Sequence, residues 1–114
     1  MMSAITTHIL DPSRGKPAGG VAVVLELQSA QGWHVLGRGV TDADGRLKEL
    51  LPPDFKFAPG TYRLTFHTGD YFGAQQVESF YQEITISFIV RDIGAHYHVP
   101  LLLSPFGYST YRGS

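Results

Sequence analysis

Strict alternation of apolar and polar residues recurs in three separate stretches, and it restricts this chain to half-buried strands. In Val21–Gln28 the odd positions Val21, Val23, Leu25 and Leu27 form an apolar face. In Thr61–His67, Tyr62, Leu64 and Phe66 alternate with Arg63, Thr65 and His67. In Glu83–Arg91, Ile84, Ile86, Phe88 and Val90 keep the same period, with Ile89 the exception. Successive strand side chains point to opposite faces, so a period of two buries one face and wets the other, as antiparallel sheets do. Weaker patterns mark Ile5–Leu10, Trp33–Val40, Arg46–Leu50, His96–Leu103 and Tyr108–Arg112 as further strands. Eight short strands joined by turns predict an all-β sandwich or small barrel.

The punctuation agrees with these boundaries. Asp11-Pro12-Ser13-Arg14-Gly15-Lys16-Pro17 reads as a turn, because Pro lacks the ladder N–H and Gly favours turns. Asp42-Ala43-Asp44-Gly45 and Ser104-Pro105-Phe106-Gly107 are turn-forming loops. Only Asp70–Gln82 suits a helix, with Phe72, Val77 and Phe80 as apolar positions and acidic Asp70 near its start.

At 114 residues the chain is read as one domain over 1–114, large enough for a single core without a disulfide or metal staple. It has no cysteine, which removes disulfides, thiolate zinc sites and a cysteine nucleophile from consideration. A net charge of −1 lacks the basic stripe that nucleic-acid binding needs. No apolar run reaches the roughly 18 residues of a membrane span. Met1–His8 has neither a positive segment nor a long apolar one, so no secretory leader is expected and a cytoplasmic protein is. Charged residues make up only 17% of the chain, against about 25% in an average soluble domain.

Five histidines are the first candidates for acid–base chemistry. His34 and His67 fall at exposed strand positions, where a solvated role is the plainer reading. His96 and His98 form an H-x-H pair on one strand face, a spacing that binds zinc if a third ligand such as His8 arrives. No carboxylate pair accompanies them, and each also reads as an ordinary half-buried strand histidine. Arg46 reads first as a solvated turn arginine. Tyr111 and Arg112 belong to an aromatic, cationic strand pattern suited to a docked edge or a site. No serine sits in G-x-S-x-G, and Gly19-Gly20 precedes a strand rather than the helix a phosphate loop requires.

Three segments carry a resemblance. The run from His96-Tyr97-His98-Val99-Pro100 through Leu103-Ser104-Pro105 and Tyr108-Ser109-Thr110 to Tyr111-Arg112-Gly113-Ser114 resembles the signature of 5-hydroxyisourate hydrolases, the transthyretin-related enzymes of purine catabolism. Thr7-His8-Ile9-Leu10-Asp11 with Gly15-Lys16-Pro17-Ala18 is similar too, as is Thr41-Asp42-Ala43-Asp44-Gly45-Arg46. The resemblance spans essentially the whole chain. Its most specific part, Tyr-Arg-Gly-Ser, separates the enzymes from the hormone-carrying transthyretins.

The resemblance implies a transthyretin-like sandwich of two four-stranded sheets with one short helix. It implies a homotetramer, a dimer of dimers, with sites in a channel between dimers. The reaction it implies is hydrolysis of 5-hydroxyisourate to 2-oxo-4-hydroxy-4-carboxy-5-ureidoimidazoline, with neither metal nor organic cofactor. The site maps onto His8, Arg46, His98 and the Tyr111-Arg112-Gly113-Ser114 segment. Opening a lactam needs an activated water, a stabilised oxyanion and a proton for the leaving nitrogen. On that reading His8 and His98 orient or deprotonate the water, either serving as base. Arg46 polarises the substrate, Tyr111 and Arg112 bind it, and Ser114 supplies a polar contact. The alternative is a transthyretin-like carrier of a small ligand. An oligomer would also explain the scarcity of charge, because interface cores are depleted of Lys, Glu and Asp.

Overall fold

The computed structural model describes residues 4–114. Met1, Met2 and Ser3 of the segment read above for a leader lie outside the described residues. Two sheets face each other. The first has the order β2 (Lys16–Pro17), β1 (Ile5–Asp11), β8 (Tyr97–Ser104) and β9 (Gly107–Thr110), and β5 (Arg46–Leu47) also pairs with β1. The second runs β4 (Gly32–Val40), β3 (Ala22–Ser29), β6 (Gly60–Phe66) and β7 (Ile84–Val90). One helix, α1, covers Thr68–Gly73. The expected sandwich with one short helix is present; the second sheet has the expected four strands, while the first has five, two of them only two residues long.

The alternating residues form the core as their period requires. Val21, Val23 and Leu25 meet Tyr62, Leu64 and Phe66 on the inner face of the second sheet, all at most 1% exposed. Ile5, Ile9, Leu101 and Leu103 oppose them from the first sheet, equally buried. Ile89, which broke the pattern of β7, is 52% exposed. Tyr62 keeps its one polar atom satisfied by donating its hydroxyl to the Ala58 carbonyl at 2.6 Å.

Four local features depart from expectation. The pairing of β1 with β8 is parallel, whereas alternation alone suggested antiparallel neighbours throughout. The helix stops at Gly73 instead of continuing to Gln82, since Gln76 takes a left-handed φ of 59°. Phe80, counted among its apolar positions, is 72% exposed, and its N–H donates to the Pro105 carbonyl. The Asp11–Pro17 turn closes a short hairpin, with Lys16 and Pro17 returning to pair with Asp11 and Leu10. Finally, β5 ends at Leu47 rather than Leu50, and β9 spans Gly107–Thr110 rather than Tyr108–Arg112.

Candidate active site on the outer face of the first sheet

Register decides which polar residues meet. In the parallel β1–β8 ladder Thr6 lies opposite His98, and His8 opposite Pro100. On its other side β1 pairs antiparallel with β5, and there His8 lies opposite Arg46. Since Ile5, Ile9, Leu101 and Leu103 point inward, the period of two sends Thr6, His8, His96 and His98 to the outer face.

The turn before β5 holds Arg46 in place. Asp42 Oδ1 accepts the N–H groups of Asp44 and Arg46 at 2.9 and 3.0 Å. The bond from the Arg46 N–H is the leading reason that the Asp42 carboxyl sits below its ordinary pKa. Gly45 adopts φ +75°, and a Cβ there would collide with the Ile9 carbonyl oxygen. Its own carbonyl accepts the Ile9 N–H at 2.7 Å, locking the turn onto β1.

Each histidine then has a defined partner. His8 Nε2 donates to the Asp44 carbonyl at 2.9 Å. A carbonyl only accepts, so Nε2 carries the hydrogen and neutral His8 keeps its lone pair on Nδ1. Thr6, only 2% exposed, places Oγ1 2.8 Å from His98 Nδ1 and 3.1 Å from His96 Nε2. The two imidazoles lie nearly parallel, with centroids 6.3 Å apart. Burial first, then the charges of His96, His8 and Arg46, lowers the His98 pKa from its ordinary value.

Gly113 brings the final segment onto this face. Its N–H donates to the His98 carbonyl at 2.9 Å. Arg46, His98 and Ser114 thereby line one recess together with Thr6, His96 and Lys48. His8 adjoins it through its cross-strand neighbour Arg46. Tyr111 and Arg112 stand elsewhere, in an adjacent apolar cleft with Ile86 and Phe88 that shares only His98 with the recess. The Arg112 guanidinium lies 4.5 Å over the Tyr97 ring. Among the described residues no three His, Asp or Glu side chains converge as a metal ligand set would.

Pro100, whose missing ladder N–H suits an edge or a surface-lining position, lies in β8 between β1 and β9. Its carbonyl accepts the Thr110 hydroxyl at 2.7 Å, so its missing N–H faces the point where the β9 ladder stops. Thr6 and Lys48 were not singled out from sequence, and His96 was weighed only as half of an H-x-H zinc pair. A signal for them existed, since each stands two positions from a selected residue and period two sends strand neighbours at that spacing to one face.

A two-sheet β-sandwich bearing a histidine–arginine cluster on the outer face of one sheet is the class of protein this architecture defines. The chain belongs to the HIUase/Transthyretin family, whose model matches residues 5–113. It is 52% identical over 110 residues to a 5-hydroxyisourate hydrolase of Salmonella dublin, covering 96% of this chain and 80% of that one. Sea bream transthyretin in complex with thyroxine superposes with a TM-score of 0.90 at 34% identity, covering 97% of this chain and 95% of the other. The 5-hydroxyisourate hydrolase of Klebsiella pneumoniae superposes with a TM-score of 0.84 at 38% identity, covering 96% and 97%.

Proposed function

We propose that this chain hydrolyses 5-hydroxyisourate to 2-oxo-4-hydroxy-4-carboxy-5-ureidoimidazoline. The observation that carries the reading is the meeting of His8, Arg46 and His98 on one outward face, in a chain 52% identical to a hydrolase of that name. His98 is the favoured base, because Thr6 engages its Nδ1 and no protein group engages its Nε2 among the described residues. Its lowered pKa keeps it neutral near pH 7, as a base must be. Arg46 accepts the charge that develops on the carbonyl oxygen. His8, fixed by Asp44, orients the water or the ring through Nδ1, and Ser114 adds a polar contact at the mouth. Tyr111 and Arg112 bind the substrate's far side from the neighbouring cleft.

The proposed active unit is a homotetramer, a dimer of dimers. One protomer's recess measures about 100 Å³, under the roughly 300 Å³ at which ligand pockets begin, which supports a site completed by a second copy. Half-buried Leu10 and Leu102, two positions on from His8 and Pro100, continue the same sheet face, and Ile89 and Tyr111 are more than half exposed. The 17% charge content fits such contacts. A monomer by sedimentation would remove this part of the reading.

The activity is tested by mixing the protein with freshly made 5-hydroxyisourate and following its absorbance. Catalysed decay that persists in EDTA is expected, and a rate equal to buffer alone overturns the proposal. The second reading, a small-ligand carrier, is favoured by the superposition on a thyroxine-bound transthyretin. Tight thyroxine binding without catalysis would establish it.

A further inference from the structure

We infer that Thr6 and His96 form a proton relay behind His98, with Thr6 as a positioning residue that lets the two imidazoles share one proton. The inference rests on the hydrolase reading and adds to it two residues with no assigned role. It begins from a counting constraint. A threonine hydroxyl has a single hydrogen to donate, yet Oγ1 of Thr6 lies within hydrogen-bond distance of both His98 Nδ1 and His96 Nε2. Accepting from both would leave its own buried hydrogen without an acceptor, so Oγ1 donates to one imidazole and accepts from the other. Two arrangements satisfy this, and each fixes both tautomers.

In the first arrangement His98 Nδ1–H donates to Thr6, and Thr6 donates to His96 Nε2. His98 then presents a bare Nε2, the form a general base requires. In the second, His96 Nε2–H donates to Thr6, and Thr6 donates to His98 Nδ1. His98 now carries its hydrogen on Nε2, the form a general acid requires. The two arrangements are the two halves of an acid–base cycle: when a proton binds His98 Nε2, two protons shift along the chain and leave the positive charge on His96, and the reverse shift restores the first arrangement.

The cycle balances. In the first half an O–H bond of water breaks and its proton binds His98 Nε2. The Nδ1 proton passes to Thr6 Oγ1, and the Thr6 proton passes to His96 Nε2. The water oxygen bonds the lactam carbon, and the carbonyl π pair moves to oxygen beside Arg46. In the second half that pair re-forms the carbonyl as the C–N bond breaks, and the leaving nitrogen takes the Nε2 proton of His98. His96 returns its proton through Thr6 to His98 Nδ1. One water is consumed and the protein is unchanged.

The surroundings give the relay a purpose. His98 is partly desolvated and faces His8, Arg46 and the recess-lining Lys48. An imidazolium held at His98 throughout would sit among these charges and beside the reacting water. Passing the charge to His96, with ring centroids 6.3 Å apart, relieves that position and returns His98 to a neutral donor. Thr6 is fixed for this task, being buried and paired to His98 in the parallel ladder.

The test compares Thr6→Val, which keeps the shape and removes the hydroxyl, with Thr6→Ser, which keeps the hydroxyl. Relative to wild type, Thr6→Val is expected to lower kcat by about tenfold or more with KM little changed, and Thr6→Ser to restore it. His96→Gln is expected to lose a similar factor, and the double variant Thr6→Val/His96→Gln to be no slower than the slower single variant. Histidine ¹⁵N NMR on the full chain gives a readout independent of turnover. Removing the hydroxyl should change the tautomer balance at both His96 and His98, whereas Thr6→Ser should leave it as in wild type. Wild-type kcat in Thr6→Val, multiplicative losses in the double variant, or unchanged tautomers would each overturn the relay. An inactive wild type would instead overturn the hydrolase reading, while the tautomer coupling would still stand or fall by NMR.

Discussion

Gly113 packs against the edge of the His98 imidazole. A Cβ built on Gly113 would stand 2.6 Å from His98 Cδ2 and 3.1 Å from Pro100 Cγ, while its N–H holds the His98 carbonyl. The φ of Gly113 is not positive, so what the position demands is space rather than backbone freedom. Gly113→Ala should therefore fold with near-native stability but tilt the His98 ring. Misplacement of a reacting group by about 1 Å costs up to about 100-fold in rate. The expected outcome is a kcat loss of about tenfold to 100-fold with an unchanged urea midpoint. Full activity would show that His98 tolerates displacement.

The lowered pKa of His98 fixes the sign of two pH effects. Folding weakens proton binding at this ring, so the unfolded chain binds more protons between the ordinary value of about 6.5 and the folded value below it. Stability contributed by neutral His98 is thus full above about pH 6.5 and declines as the pH falls through that window. The rate should follow the neutral form, with kcat/KM holding at about pH 6.5 and breaking only lower. A pH–rate profile with its acidic inflection above that value would contradict His98 as the base.

Much of this was legible in the sequence because period two is a strong local signal. Val23, Leu25, Tyr62, Leu64 and Phe66 each sit on the face that alternation assigned. The parallel β1–β8 pairing was not legible, since alternation reports which face is buried and not which direction a neighbour runs. That pairing is what sets Thr6 beside His98, so a residue with no distinguishing motif escaped notice. His96 was weighed only as half of an H-x-H zinc pair for a related reason, because the sequence does not show that a hydroxyl lies between the two rings. The helix was overextended because Phe80 was counted as buried, whereas its aromatic face stacks edge-on against Tyr81 near the surface.

Asp11 provides a stability test away from the site. It is 0% exposed, and its carboxylate accepts the Tyr71 hydroxyl at 2.9 Å and the Ser13 hydroxyl at 2.5 Å. Tyr71 stands on α1, so this contact ties the helix to the hairpin of the first sheet. Tyr71→Phe keeps the packed ring and leaves one buried carboxylate oxygen without its donor. The expected loss is about 1–3 kcal/mol, read from urea unfolding at constant m value. Catalysis should be unaffected in the folded fraction.

The Asp42–Arg46 turn couples stability to the site more directly. Gly45→Ala meets two obstacles at once, a left-handed φ and the Ile9 carbonyl oxygen in the path of the new methyl group. Relief requires the turn to lift from β1, which breaks the Ile9 N–H bond to Gly45 and draws Asp44 away from His8. Arg46 moves with it. The variant should lose about 2 kcal/mol or more of stability, and its kcat/KM should fall further than that of Asp42→Ala. Asp42→Ala removes only the two side-chain bonds to Asp44 and Arg46 and leaves the left-handed glycine free to hold the turn. Equal losses in the two variants would mean that the carboxylate, rather than the glycine, positions Arg46.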